Sequence, residues 1–124
     1  MRDVTIYVVD DDEGIRDSLQ VLLECEGFSV IVFASAAELL GYARPDGRCC
    51  ILLDVHLPGI SGLQLLDGIR SESPTIPVIV MTGRSDPAVV RHINRAGVTL
   101  LEKPFAAIEL MRSIEEAVRG GLLH

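Results

Sequence analysis

Val4-Thr5-Ile6-Tyr7-Val8-Val9-Asp10-Asp11-Asp12-Glu13 decides the fold, because an apolar run too short for a buried helix ends abruptly on a row of acids. A short apolar run bounded by a turn signal reads as a buried strand. The same grammar recurs along the chain. Cys49-Cys50-Ile51-Leu52-Leu53 runs into Asp54, Val78-Ile79-Val80-Met81 into Thr82, and Val98 to Leu101 into Glu102-Lys103, while Phe28 to Phe33 gives one further strand. Four of these five strands, all but Phe28 to Phe33, end on a residue with chemistry to offer.

Helical patterns fill the intervals. Ile15, Leu19, Leu22 and Leu23 follow helical spacing and Gly27 closes them. Ser35 with Glu38 is a capping-box signature, and Ala36, Leu39, Leu40 and Ala43 form the stripe expected to be buried. Arg44-Pro45-Asp46-Gly47 reads as a turn, and Leu57-Pro58-Gly59-Ile60-Ser61-Gly62 as a longer loop before a helix marked by Leu65, Leu66 and Ile69. Asp86-Pro87 reads as an N-cap followed by proline at the first helical position. That helix turns Val89, Val90, Ile93 and Ala96 inward and stops at Gly97. A last helix from near Ala106 is expected to bury Ile108, Met111, Ile114 and Val118 and to stop at Gly120-Gly121. Strands joined through helices require crossovers and a parallel sheet, so the fold class is α/β and doubly wound. Residues 1–120 read as one domain, and 121–124 as a C-terminal tail or linker stub.

Bulk composition narrows the function. With 124 residues the chain can bury a core without staples. Eleven basic against eighteen acidic residues, net −7, argue against direct nucleic-acid binding, which depends on Lys and Arg neutralising phosphates. No apolar stretch approaches the ~20 residues of a membrane span, and no secretion-signal pattern opens the chain. Cys25, Cys49 and Cys50 lack CxxC spacing and suit neither a disulfide framework nor a zinc site. A cytoplasmic location is the expectation.

In an open parallel sheet, residues that follow different strands converge on one edge. That edge would gather Asp10, Asp11, Asp54, Thr82 and Lys103. At ~4 Å and an effective dielectric near 20, each like-charge pair repels by about 4 kcal/mol, so a carboxylate cluster calls for a cation. Hard oxygen ligands with room for water point to Mg²⁺. Asp54 can then attack a phosphoryl group, while Lys103 and the metal stabilise charge on the transferred oxygens. Blander readings exist for each residue: Asp10-Asp11-Asp12 as a strand end plus N-cap, Asp54 as a turn residue, Thr82 as an ordinary β residue. Asp12 and Glu13 fit that bland role well. His92 and His124 read as solvated, and His56 as pointing outward.

With those residues in place, the chain resembles the receiver domains of two-component response regulators over nearly its whole length. The matching pieces are Val9-Asp10-Asp11-Asp12-Glu13, Leu53-Asp54 through Gly62, Met81-Thr82-Gly83, Ala96-Gly97 and Lys103-Pro104-Phe105. The finer texture is similar to regulators carrying helix-turn-helix output domains and acting in transcription. The resemblance implies a flavodoxin-like (βα)₅ fold with strand order 2-1-3-4-5. It implies Asp54 as phosphoacceptor, with Mg²⁺ bound by Asp11, Asp54 and the backbone carbonyl of His56, and through water by Asp10; Mn²⁺ could substitute. Thr82 becomes the switch hydroxyl, and Lys103 the phosphoryl contact beside a cis peptide to Pro104. His56 and Arg84 stand where side chains tune dephosphorylation. The implied partners are a sensor histidine kinase and, on phosphorylation, a second copy of the chain.

Two departures stand out. The position of the family's switch aromatic, three before the lysine, is Leu100, and the Gly97-to-Lys103 spacing is one residue short. A receiver that only binds proteins, independent of phosphorylation, is one rival reading. A phosphatase of the haloacid dehalogenase type is the other, although His56 stands where that class has a second Asp.

Overall fold

The computed structural model describes residues 3–42, 48–57, 59–73, 75–83 and 86–122. Strand and helix alternate as β1 (Thr5–Val9), α1 (Glu13–Cys25), β2 (Ser29–Phe33), α2 (Ala36–Leu40), β3 (Cys49–Asp54), α3 (Gly62–Glu72), β4 (Val78–Thr82), α4 (Pro87–Ala96), β5 (Thr99–Glu102) and α5 (Ala107–Leu122). The strands form one parallel sheet in the order β2-β1-β3-β4-β5, as expected.

Side chains alternate across a sheet with period two, and here the alternation sorts two cores. Tyr7, Val9, Ile51, Leu53, Val78 and Val80 pack under α2, α3 and α4 with Ala36, Leu65, Leu66 and Ile93. Ile6, Val8, Cys50, Leu52, Ile79 and Met81 pack under α1 and α5 with Leu19, Leu23, Leu110 and Ile114. β3 is buried at every position, which suits its continuous apolar run. Inside it, burial pushes the Cys50 thiol up to about 12, with Cys49 adding to the shift, so Cys50 stays a neutral packing residue.

Most helix boundaries follow from local chemistry. Asp12 caps α1 by accepting from the Ile15 amide at 3.1 Å. Asp86 caps α4 with Pro87 in the first turn, and Gly97 ends it in the left-handed conformation, φ 69°. Ser35 caps α2, but Glu38 reaches back to the Ala34 amide rather than to Ser35, so the predicted box is only half formed. A complete box appears instead at Ser61 and Gln64, opening α3.

Four expectations need correction. α5 does not stop at Gly120-Gly121 but continues to Leu122, since a helix tolerates glycine at a cost of about 1 kcal/mol each. Ile108 is 66% exposed, and Leu110 takes the inward position instead. Leu40 is likewise 60% exposed, because α2 is short and ends there. His92 is not simply solvated: its Nε2 lies 2.8 Å from Asp67 Oδ1 on α3. The turn at 44–47, Ala43, Arg84 and His124 lie outside the described residues.

Candidate functional site

Sheet register builds the site. Val9 pairs with Leu53, so the next residues, Asp10 and Asp54, reach the carboxyl edge at the same level. Thr82 pairs with Glu102, so Lys103 follows immediately at that edge. Parity then separates roles. Asp10 and Asp54 continue the alternation of Val8 and Leu52, toward α1 and α5, whereas Thr82 continues that of Val78 and Val80, toward α3 and α4.

The edge gathers its carboxylates tightly. One carboxylate oxygen from each of Asp10, Asp11 and Asp54 lies within 4.8 Å of the others. Asp10 and Thr82 are fully buried and Asp54 nearly so, while Asp11 is exposed. Lys103 Nζ donates to Asp10 Oδ2 at 2.9 Å and to Asp54 Oδ2 at 3.5 Å. The Lys103 amide also donates to the Thr82 carbonyl at 2.7 Å, tying the ends of β4 and β5 together. The Lys103–Pro104 peptide is cis, as the resemblance implied.

Each charge is shaped by its surroundings. Burial pushes the Asp54 carboxyl above its ordinary range; the His56 amide, donating to Oδ1 at 3.0 Å, opposes this, Asp10 adds to it, and Lys103 opposes it. Burial alone would lower the Lys103 ammonium, but its hydrogen bond to Asp10 and the charges of Asp54 and Asp10 outweigh that and hold it raised. A lysine so held remains a cation at any physiological pH.

Two positioning groups were missed in the sequence. Arg16 Nη1 donates to the Asp10 carbonyl at 2.8 Å, fixing the acidic turn from one turn inside α1. In the sequence Arg16 resembles any solvated helix residue, and only the fold directs it back. Gly62 is the other. A Cβ there would overlap the Asp54 carbonyl oxygen and come within 2.5 Å of Val55 Cα. The start of α3 therefore presses directly on the backbone of Asp54, and the Gly62 amide donates to the Val55 carbonyl at 3.1 Å. His56 is exposed beside Asp54, with its side chain outward as expected.

Leu100 is half-buried and packs on the core beneath α3 and α4. In the sheet it pairs with Val80, two residues before Thr82 on β4.

A doubly wound parallel sheet with an acidic cluster and a lysine at its carboxyl edge is the architecture of a receiver. Residues 6–115 match the response regulator receiver domain family, and the chain belongs to that family. Receivers of this family are the input domains of two-component response regulators, which are phosphorylated by histidine kinases. The chain is 38% identical to the transcriptional regulatory protein FixJ of Bradyrhizobium diazoefficiens, over 92% of this chain and 56% of that protein. It is 39% identical to nodulation protein W of the same organism, over 90% of this chain and 50% of that protein. The chain thus spans about half the length of these relatives. A CheY-like receiver domain protein from Methanospirillum hungatei superposes with a TM-score of 0.87 at 30% identity, covering 94% of each chain. The signal receiver domain of an HD domain-containing protein from Pseudomonas fluorescens gives 0.90 at 26% identity, covering 99% of this chain and all (100%) of that one.

Proposed function

We propose that Asp54 accepts a phosphoryl group from the phosphohistidine of a sensor histidine kinase. The observation that carries this reading is the convergence of Asp10, Asp11 and Asp54 within 4.8 Å beside the Lys103 ammonium. A carboxylate oxygen of Asp54 attacks phosphorus as the phosphorus–nitrogen bond breaks, and the departing imidazole keeps that electron pair. Lys103 sits where it can bond an equatorial oxygen of the transferred group, a contact stronger in the transition state than before it.

The donor set is all hard oxygen and clustered, which suits Mg²⁺. Asp11 and Asp54 with the His56 carbonyl would hold it, and Asp10 would do so through water. Bound there, the ion would neutralise the carboxylates and the charge on the phosphoryl oxygens. Asp10 is already engaged by Lys103 and by the Asp12 amide, at 2.9 and 3.0 Å, which fits an indirect role.

The Thr82 hydroxyl follows the new charge, and the displacement passes along the backbone from Thr82 to the α4 cap at Asp86. Leu100 lacks the flat ring that would fill space left by Thr82, so the output passes mainly through α4 to the surface it shares with β5 and α5, and a second copy can assemble there through α4 and α5. His56 and Arg84 tune water access to the phosphoryl group. Replacing both with alanine should change the decay rate of phospho-Asp54 and leave Mg²⁺ affinity nearly unaltered. Acetyl phosphate with Mg²⁺ should add one phosphoryl group, and Asp11→Ala should weaken Mg²⁺ binding severely. Undiminished labelling of Asp54→Asn would contradict the assignment. Sustained turnover of a generic phosphate ester would favour the phosphatase reading instead.

A further inference from the structure

α3 and α4 run side by side and flank an open surface groove of about 650 Å³, lined by Asp67, Arg70, Ser71, His92, Arg95 and Ala96. Its chemistry contrasts with the rest of the molecule. The chain carries net −7, yet two guanidiniums, an imidazole and a hydroxyl line this groove against a single carboxylate. That carboxylate is itself engaged, since Asp67 Oδ1 lies 2.8 Å from His92 Nε2. Arg70 is fixed at the wall by donating from Nη1 to the Ile76 carbonyl at 2.6 Å, and burial lowers its pKa without making it neutral. Arg95 is exposed in the last turn of α4, and Arg91, one turn earlier, is also exposed. Arginines in final turns also complement the helix dipole. Dipole complementation does not account for the rest, which is an exposed Arg95 on a groove whose one acid is held by His92.

We propose that the α3–α4 groove docks a carboxylate-bearing segment of a partner protein, with Arg95 as its principal contact. Arginine forks match carboxylates in a bidentate geometry, which favours this class over an apolar peptide. Beyond about 8–10 Å, salt screens the repulsion from the acidic edge, so the local sign of charge governs the encounter. One wall of the groove is α4, which the proposed function reads as the moving element; the docking site rests on that reading only for its regulation, not for its existence.

The probe is a synthetic Glu/Ala helical peptide, with a Gln-for-Glu peptide as control, titrated into the isotope-labelled chain and followed by amide NMR. Shifts should cluster on α3 and α4 around Asp67, Ser71 and Arg95. Affinity should fall about tenfold or more in Arg95→Glu, as loss of one charge-assisted contact gives, and should weaken with salt. Labelling of Asp54 by acetyl phosphate should be unchanged in that variant, which separates this test from the phosphoacceptor assignment. Shifts centred elsewhere, equal binding of the Gln peptide, or unaltered affinity in Arg95→Glu would each overturn the proposal. Equal shifts from inorganic phosphate would overturn it in favour of a small-anion site. Concentration-dependent shifts without peptide, abolished by Arg95→Glu, would overturn it in favour of a second copy of the chain.

Discussion

At the scale of single residues, the chemistry-bearing side chains were legible because each sits at the end of an apolar run, where register leaves little freedom. Asp10, Asp54 and Lys103 could be named from sequence because strand ends of one sense share an edge. Arg16 and Gly62 could not, since their roles depend on contacts that only the fold creates, at Gly62 a backbone so close that no Cβ fits. Gly62 and Gly68 make a sharp comparison within α3. A Cβ at Gly62 meets the Asp54 carbonyl and the Val55 backbone, whereas at Gly68 it meets nothing within 4 Å. Gly62→Ala should cost about 1–3 kcal/mol, as overpacking does, and should slow Asp54 labelling by moving its backbone. Gly68→Ala should instead stabilise by about 0.4–1 kcal/mol, by reducing the freedom of the unfolded chain. Urea denaturation of both variants, with acetyl phosphate labelling, checks the pair; equal effects would refute the packing argument.

At the scale of elements, every strand and helix was foreseen, and the errors fell at helix faces and ends. Periodicity locates an apolar stripe but does not say which of two neighbouring apolar residues leads it. In α5 both Ile108 and Leu110 fit the pattern, and the fold buries Leu110 completely. Leu110→Ala should therefore cost about 2–5 kcal/mol, and Ile108→Ala no more than about 0.5 kcal/mol. Thermal unfolding of the two variants decides between the faces. The end of α5 was misplaced because paired glycines weaken a helix without forbidding it. The link between His92 and Asp67 was invisible because their helices are adjacent only after folding. Among the described residues, no helix is long and apolar enough to cross a membrane.

At the scale of the whole molecule, the sheet concentrates like charge at one edge, and stability should reveal the strain. Burial raises the Asp54 carboxyl, so the folded state disfavours its charged form relative to the unfolded chain. The resulting penalty is complete above the raised folded-state pKa and vanishes below the ordinary carboxylate value of about 3.9, where both states are protonated. Asp54→Asn should therefore stabilise the Mg²⁺-free protein at neutral pH, on the order of 1 kcal/mol. That advantage should shrink as pH falls toward 4 and as Mg²⁺ is added, both readable as shifts in melting temperature. The strand order was legible from the resemblance and the parallel sheet from the alternation of elements, whereas the groove arises only when α3 and α4 come together. The central claim is that this edge exists to place a phosphoryl group on Asp54. The most direct test is to treat the chain with acetyl phosphate and Mg²⁺, trap the acyl phosphate by borohydride reduction, and map the product by peptide mass spectrometry. The account predicts homoserine at position 54 and nowhere else, dependent on Mg²⁺. Trapping at Asp10 or Asp11 instead, or no trapped residue under conditions where Mg²⁺ binds, would contradict it.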